Sequence, residues 1–97
     1  MKLKHDKFKT ARGGASKLLE LSCQLCDTAI CRYQKDGTGN LWRLYVDRIS
    51  SPNVSLTGED LRCQNGHLLG VKTIYAKENR PAFRLISGSY AKKIIKN

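Results

Sequence analysis

Cys23-Gln-Leu-Cys26 and Cys63-Gln-Asn-Gly-His67 are two short pairs of soft metal ligands, each set in a turn-forming context. A structural zinc takes four nitrogen or sulfur donors at tetrahedral angles, and two tight turns brought face to face can supply all four. Two residues between Cys23 and Cys26 let both sulfurs point inward while backbone N–H groups hydrogen-bond the thiolates. Cys63 and His67 achieve the same across three intervening residues, using the longer reach of imidazole. Gly66 stands where such a turn needs a left-handed residue. The expected ligand set is Cys23, Cys26, Cys63 and His67 around one Zn²⁺.

Cys31 leaves a second set open, in which it replaces His67 and all four donors are sulfur. Such a set could hold iron, although plant-type iron–sulfur spacing runs Cys-x4-Cys-x2-Cys, the reverse of the order here. Cys31 also fits the first strand simply as a small buried apolar side chain. The Cys23–Cys26 pair matches a dithiol redox motif in spacing alone. That chemistry sits at a helix N-terminus, which lowers one thiol's pKa, whereas Asp27-Thr28 leads into strand-forming residues. No Ser or Asp constellation accompanies His67, and no carboxylate pair or phosphate-cradling glycine loop is present. The expectation is a protein that is not an enzyme.

On Cys23, Cys26 and Cys63 the chain resembles the zinc-ribbon group and its rubredoxin-like relatives, over roughly residues 20–90. The resemblance implies two ligand-bearing knuckles at the heads of β-hairpins, clamping one metal between them. The chain departs from the typical pattern at the fourth position, where Gly66 stands in place of a cysteine and His67 follows. The two pairs are also 36 residues apart, beyond the usual ribbon spacing of about 15–20. A hairpin and a connector are expected to fill that interval.

The chain has 97 residues, enough for one domain with a modest core, and small domains of this kind often add a disulfide or a structural metal. Its N-terminal residues put no apolar run behind their positive charges, so no secretory leader is expected, and no stretch of eighteen apolar residues occurs. A cytoplasmic location follows as an expectation, and there clustered cysteines favour metal over disulfides.

The net charge is +10 and unevenly spread. Residues 1–17 carry +5, residues 18–62 carry −1, and residues 63–97 carry +6. Charge of this size favours anionic partners: nucleic acid first, an acidic protein surface second. Lys4, Lys7, Lys9 and Arg12 would form a cationic arm, and Arg80, Arg84, Lys92 and Lys93 a second cationic surface. RNA stands somewhat ahead of DNA. The alternative is a protein-interaction adaptor in which charge serves solubility and steering.

These groups need elements to hold them, and the pattern is mostly β. Residues 1–15 read as a flexible basic arm and 16–97 as a single zinc-ribbon-like β domain of antiparallel hairpins. Lys17 to Leu21 suits a short helical turn capped by Ser16, or a strand leading into the first cysteine pair. Ala29–Lys35 and Leu41–Asp47 are expected to pair as a hairpin through Asp36-Gly37-Thr38-Gly39-Asn40. Alternation puts Trp42, Leu44 and Val46 on its apolar face, with Tyr33 packed against Tyr45. The connector 48–60 has room for one short strand near Val54–Leu56. Val71–Ala76 and Ala82–Ser87 form a second hairpin around Lys77–Pro81, and a basic-aliphatic tail follows Gly88.

Overall fold

The computed structural model describes residues 16–37 and 40–95. The basic arm read from residues 1–15, and Thr38 and Gly39 of the expected hairpin loop, lie outside that range. The fold is mostly β, as expected. Among the described residues eight strands run β1 (Ser16–Cys23), β2 (Ala29–Asp36), β3 (Arg43–Tyr45), β4 (Ile49–Ser50), β5 (Asp60–Arg62), β6 (Leu68–Tyr75), β7 (Arg80–Leu85) and β8 (Tyr90–Ile95). They make two antiparallel four-stranded sheets, ordered β4-β2-β1-β8 and β3-β7-β6-β5.

The pattern of β1 explains why it is a strand. Leu19, Leu21 and Cys23 alternate, and alternation at a period of two places all three on one face. Across the ladder Leu19 meets Tyr33 and Leu21 meets Cys31. Both sheets contribute to one core: Leu19, Leu21, Ile30, Cys31 and Tyr33 from the first, Leu44, Leu61, Leu69 and Phe83 from the second. Burying a Leu or Phe side chain is worth about 1.5–3 kcal/mol. That shared apolar interior is the main force holding the sheets together.

Each sheet carries one β-bulge, and each bulge lies beside a ligand turn. Between β1 and β2 the register skips Ile30, and between β5 and β6 it skips Leu69. The extra residue lets two consecutive side chains turn inward, so Ile30 and Cys31 are both buried. The carbonyls of the bulged residues bind other loops. Asn53 N–H donates to Ile30 O at 2.8 Å, and Ile86 N–H donates to Leu69 O at 2.9 Å. Those two bonds anchor the chain on either side of the ligand turns.

Several local expectations give way to tertiary pairing. The first hairpin does not form as read: β2 pairs with β1 and with β4, while β3 crosses to the second sheet and pairs with β7. Alternation identifies a strand's apolar face but not its neighbour, and Leu44 finds Phe83 rather than β2. Trp42 is 61 % exposed instead of lying in the core with Leu44. It precedes β3 at the open end of the sheet, held by Leu85 N–H donating to its carbonyl at 3.0 Å. Tyr33 and Tyr45 do meet, but between sheets, with Tyr45 N–H donating to Tyr33 Oη at 2.9 Å. No strand forms at Val54–Leu56, whose Val54 and Leu56 instead pack on the core from a bent loop. The tail after Gly88 is strand β8, paired along β1 from Cys23–Tyr90 to Leu18–Ile95. Lys17–Leu21 is strand, not helix, and the β6–β7 hairpin forms as expected.

Candidate metal centre

The turn between β1 and β2 holds Cys23 and Cys26, and the turn between β5 and β6 holds Cys63 and His67. The two turns solve the same problem with loops of different length. In the first, Asp27 takes the left-handed conformation (φ 60°) and donates its N–H to Cys23 O at 2.8 Å; Cys23 N–H donates to Thr28 O at 2.9 Å. In the second, Gly66 takes that conformation (φ 85°) and donates to Cys63 O at 2.9 Å; Cys63 N–H donates to His67 O at 3.0 Å. The second loop therefore closes one residue sooner. Its left-handed position falls on residue 66, where glycine carries no side chain, and the donor passes to the longer imidazole at 67. This is the physical reason for the departure from a cysteine at that place.

The four side chains converge. One donor atom from each of Cys23, Cys26, Cys63 and His67 lies within 4.8 Å of all the others. Cys26 Sγ is 3.6 Å from Cys63 Sγ, while His67 Nδ1 is 3.6 Å from Cys23 Sγ and 3.2 Å from Cys63 Sγ. Zinc bonds of about 2.3 Å to sulfur and about 2.05 Å to nitrogen demand edges of about 3.8 and 3.6 Å in a tetrahedron. These three edges fall close to those lengths and the remaining three lie within 4.8 Å, so a metal ion fits the donor set.

The environment favours deprotonated sulfur at two of the three cysteines. Hydrogen bonds from the Thr28 side chain and backbone, with help from Asn65, bring the Cys26 thiol down to about 5. Thr28 Oγ1 is 3.2 Å from that sulfur. Burial pushes the Cys63 thiol up, but backbone N–H groups of His67 and Asn65 more than offset it and the net direction is down. His67 N–H lies 3.3 Å from Cys63 Sγ. Cys23 is raised, because burial dominates there. His67 is raised by the adjacent Cys26 and Cys63 sulfurs. A divalent cation would complement this cluster of sulfur donors.

Cys31 stands outside the cluster. It is buried in the core on β2, and burial pushes its thiol up to about 12, so it is a packing residue there. Sequence reasoning missed Thr28 and Asn65, whose contacts tune Cys26. A hydroxyl two residues beyond a ligand cysteine was the available signal.

The residues read as cationic candidates divide sharply. Lys4, Lys7, Lys9 and Arg12 lie outside the described residues. Lys92 and Lys93 are exposed on β8, and Arg84 is exposed on β7. Arg80 is only 4 % exposed. It pairs with Asp47 at 2.7 Å and Glu78 at 3.0 Å, and its guanidinium lies 3.9 Å over the Tyr45 ring. Those contacts tie the start of β7 to the segment after β3, which takes Arg80 out of the open cationic surface. Arg84 is joined instead by Arg43, its direct cross-strand neighbour. Arg43 did not stand out in the sequence, because its proximity to Arg84 arises from the β3–β7 register.

No helix among the described residues is long and apolar enough to cross a membrane. Comparison with family models, with curated proteins and with solved structures finds no match to this chain.

Proposed function

We propose that this chain is a small structural-zinc protein of the zinc-ribbon kind that acts as a nucleic-acid-binding module. One observation carries the metal half: four donors from the turns of two different sheets lie within 4.8 Å of one another. Four protein donors fill a tetrahedral shell and leave no open position for substrate, which is the pattern of a structural rather than a catalytic zinc. The thiolate-rich set accords with a compartment where thiols stay reduced, such as the cytoplasm. The ion would join the β1–β2 turn to the β5–β6 turn and so couple the sheets. It has no part in a reaction on this reading.

Charge supports the nucleic-acid half. A net charge of +10 on 97 residues attracts polyanions, and phosphate neutralisation releases counterions. Elemental analysis should find one zinc per chain and little iron. Filter binding should then show RNA or DNA retained at low salt, with affinity falling linearly in log–log form as salt rises. Absence of retention at low salt, or affinity indifferent to salt, would overturn the nucleic-acid reading. An acidic protein partner whose capture survives nuclease treatment would replace it with the adaptor reading.

A further inference from the structure

The second sheet has an open side that the metal centre does not use. By register, Arg43 of β3, Arg84 of β7 and Val71 of β6 form one row, with Thr73 and Tyr75 further along the same face. The opposite face carries Leu44 and Phe83 into the core. A shallow groove of about 950 Å³ runs over this side, lined among others by Trp42, Arg43, Val71, Thr73, Tyr75 and Arg84. It joins cations with exposed apolar surface: Trp42 is 61 % and Val71 45 % exposed.

Two features point to what fits there. Arg43 and Arg84 are directly opposite in the ladder, an arrangement of like charges that weakens a sheet. No acidic residue lines the groove among the described residues. The acid in that row, Asp60, lies beyond Val71 and is bonded to Arg62 at 3.1 Å. The positive charge thus faces outward without a carboxylate beside it, which suits an anionic occupant. The second feature is planarity. Trp42 presents an open indole, and the Arg43 guanidinium lies 4.6 Å over the Tyr75 ring. Flat π-faces set among cations match a chain that alternates phosphates with unstacked bases. A duplex would offer only its phosphates and leave Trp42 without use.

We propose that this groove is a binding site for single-stranded nucleic acid, with Trp42 and Tyr75 stacking on bases and Arg43 and Arg84 contacting phosphates. It rests on the nucleic-acid reading above and gives it a location. Stacking on a side chain tolerates any base, so the site would take ribose and deoxyribose strands alike.

The test uses the full chain loaded with zinc and short uridine or thymidine oligonucleotides. Trp42 is the single tryptophan, so its fluorescence reports on the groove directly. Emission should be quenched in step with oligonucleotide retention. Trp42→Ala should weaken binding roughly ten- to hundredfold, the worth of one stacked base, and Trp42→Phe should recover most of the loss. Arg84→Gln, on an exposed side chain, should reduce the salt dependence by about one phosphate contact. Unchanged zinc content shows that each variant keeps its fold. If the protein retains oligonucleotide but emission stays constant and both Trp42→Ala and Arg84→Gln bind as before, the location is overturned and the general reading survives. If no oligonucleotide is retained at low salt, both fall. Equal competition by duplex overturns the single-strand assignment, as does quenching of Trp42 by an acidic protein in place of oligonucleotide.

Discussion

Cys26 Sγ and Cys63 Sγ stand 3.6 Å apart although their turns belong to different sheets and 37 positions separate them in the chain. With Cys23 and His67 they make the one place where ligand chemistry spans both sheets among the described residues. A structural zinc contributes on the order of 10 kcal/mol of apparent binding free energy. The whole stability of a small domain is about 5–15 kcal/mol. Removing the ion should therefore abolish cooperative unfolding. Thorough chelation followed by thermal melting in circular dichroism checks this, and an unchanged melting curve would refute it.

The ligand assignment separates the cysteines. Single substitutions Cys23→Ser, Cys26→Ser, Cys63→Ser and His67→Ala should each lose the stoichiometric metal, whereas Cys31→Ala should keep it. The core loss in Cys31→Ala should cost only about 1 kcal/mol, as for a small buried apolar group. Metal analysis of the five variants decides the matter, and loss of metal from Cys31→Ala would mean that an all-cysteine set is used.

Thiol reactivity should follow the same division. Burial holds the Cys31 thiol near 12, and the reactive species is the thiolate. Alkylation of the folded protein should leave Cys31 unmodified until denaturant is added. Once chelation has removed the ordered fold, Cys31 should become as reactive as the ligand cysteines. Peptide mass spectrometry after timed quenching gives the order directly.

Asp36 and Arg48 form a buried ion pair at 2.9 Å, and Ser16 and Gln34 donate to the other carboxylate oxygen at 2.8 and 2.9 Å. Arg48→Ala leaves that carboxylate buried without its cation and should cost about 3–5 kcal/mol. Burial raises the Asp36 pKa, but the bonds from Gln34, Ser16 and Arg48 outweigh it, so the net value lies below 3.8. A lowered carboxylate pKa stabilises the fold above its ordinary value, and that contribution fades as pH falls through the lower folded value. The stability difference between the wild type and Asp36→Asn should hold steady at neutral pH and shrink below pH 3.8. Urea titrations at stepped pH measure it, and a difference that persists undiminished in acid contradicts the ion-pair account.

Two glycines should respond differently to alanine. A Cβ at Gly70 would lie 2.8 Å from Arg84 O, so Gly70→Ala must push β6 from β7 and should cost about 1–3 kcal/mol. A Cβ at Gly66 would meet nothing within 4 Å, and only its φ of 85° resists substitution. Gly66→Ala should therefore cost about 1–2 kcal/mol from backbone strain alone, with metal binding retained. Denaturant midpoints with zinc in excess distinguish steric displacement from strain.

Local chemistry was legible along the chain wherever the cause is local. The ligand turns depend on residues within five positions of each other, and Cys23, Cys26, Cys63, Gly66 and His67 declare them by type and spacing alone. Strand β2 and the β6–β7 hairpin likewise follow from alternation and nearby turn residues, whereas Lys17–Leu21 fitted helix and strand alike until β2 and β8 paired with it. Partner choice is not local. That Leu41–Tyr45 leaves β2 for β7, that residues 90–95 return to β1, and that Arg43 meets Arg84 all depend on which apolar faces can be buried together. Arg80 and Trp42 show the consequence most plainly. A cation that looks open in sequence is enclosed by Tyr45, Asp47 and Glu78, and an indole that alternates with core residues stands in solvent. Composition determined that this chain is basic, β-rich and equipped to hold a metal. Tertiary packing alone decided which of its charges and rings face outward, because burial is settled by the competition of all faces for one small core.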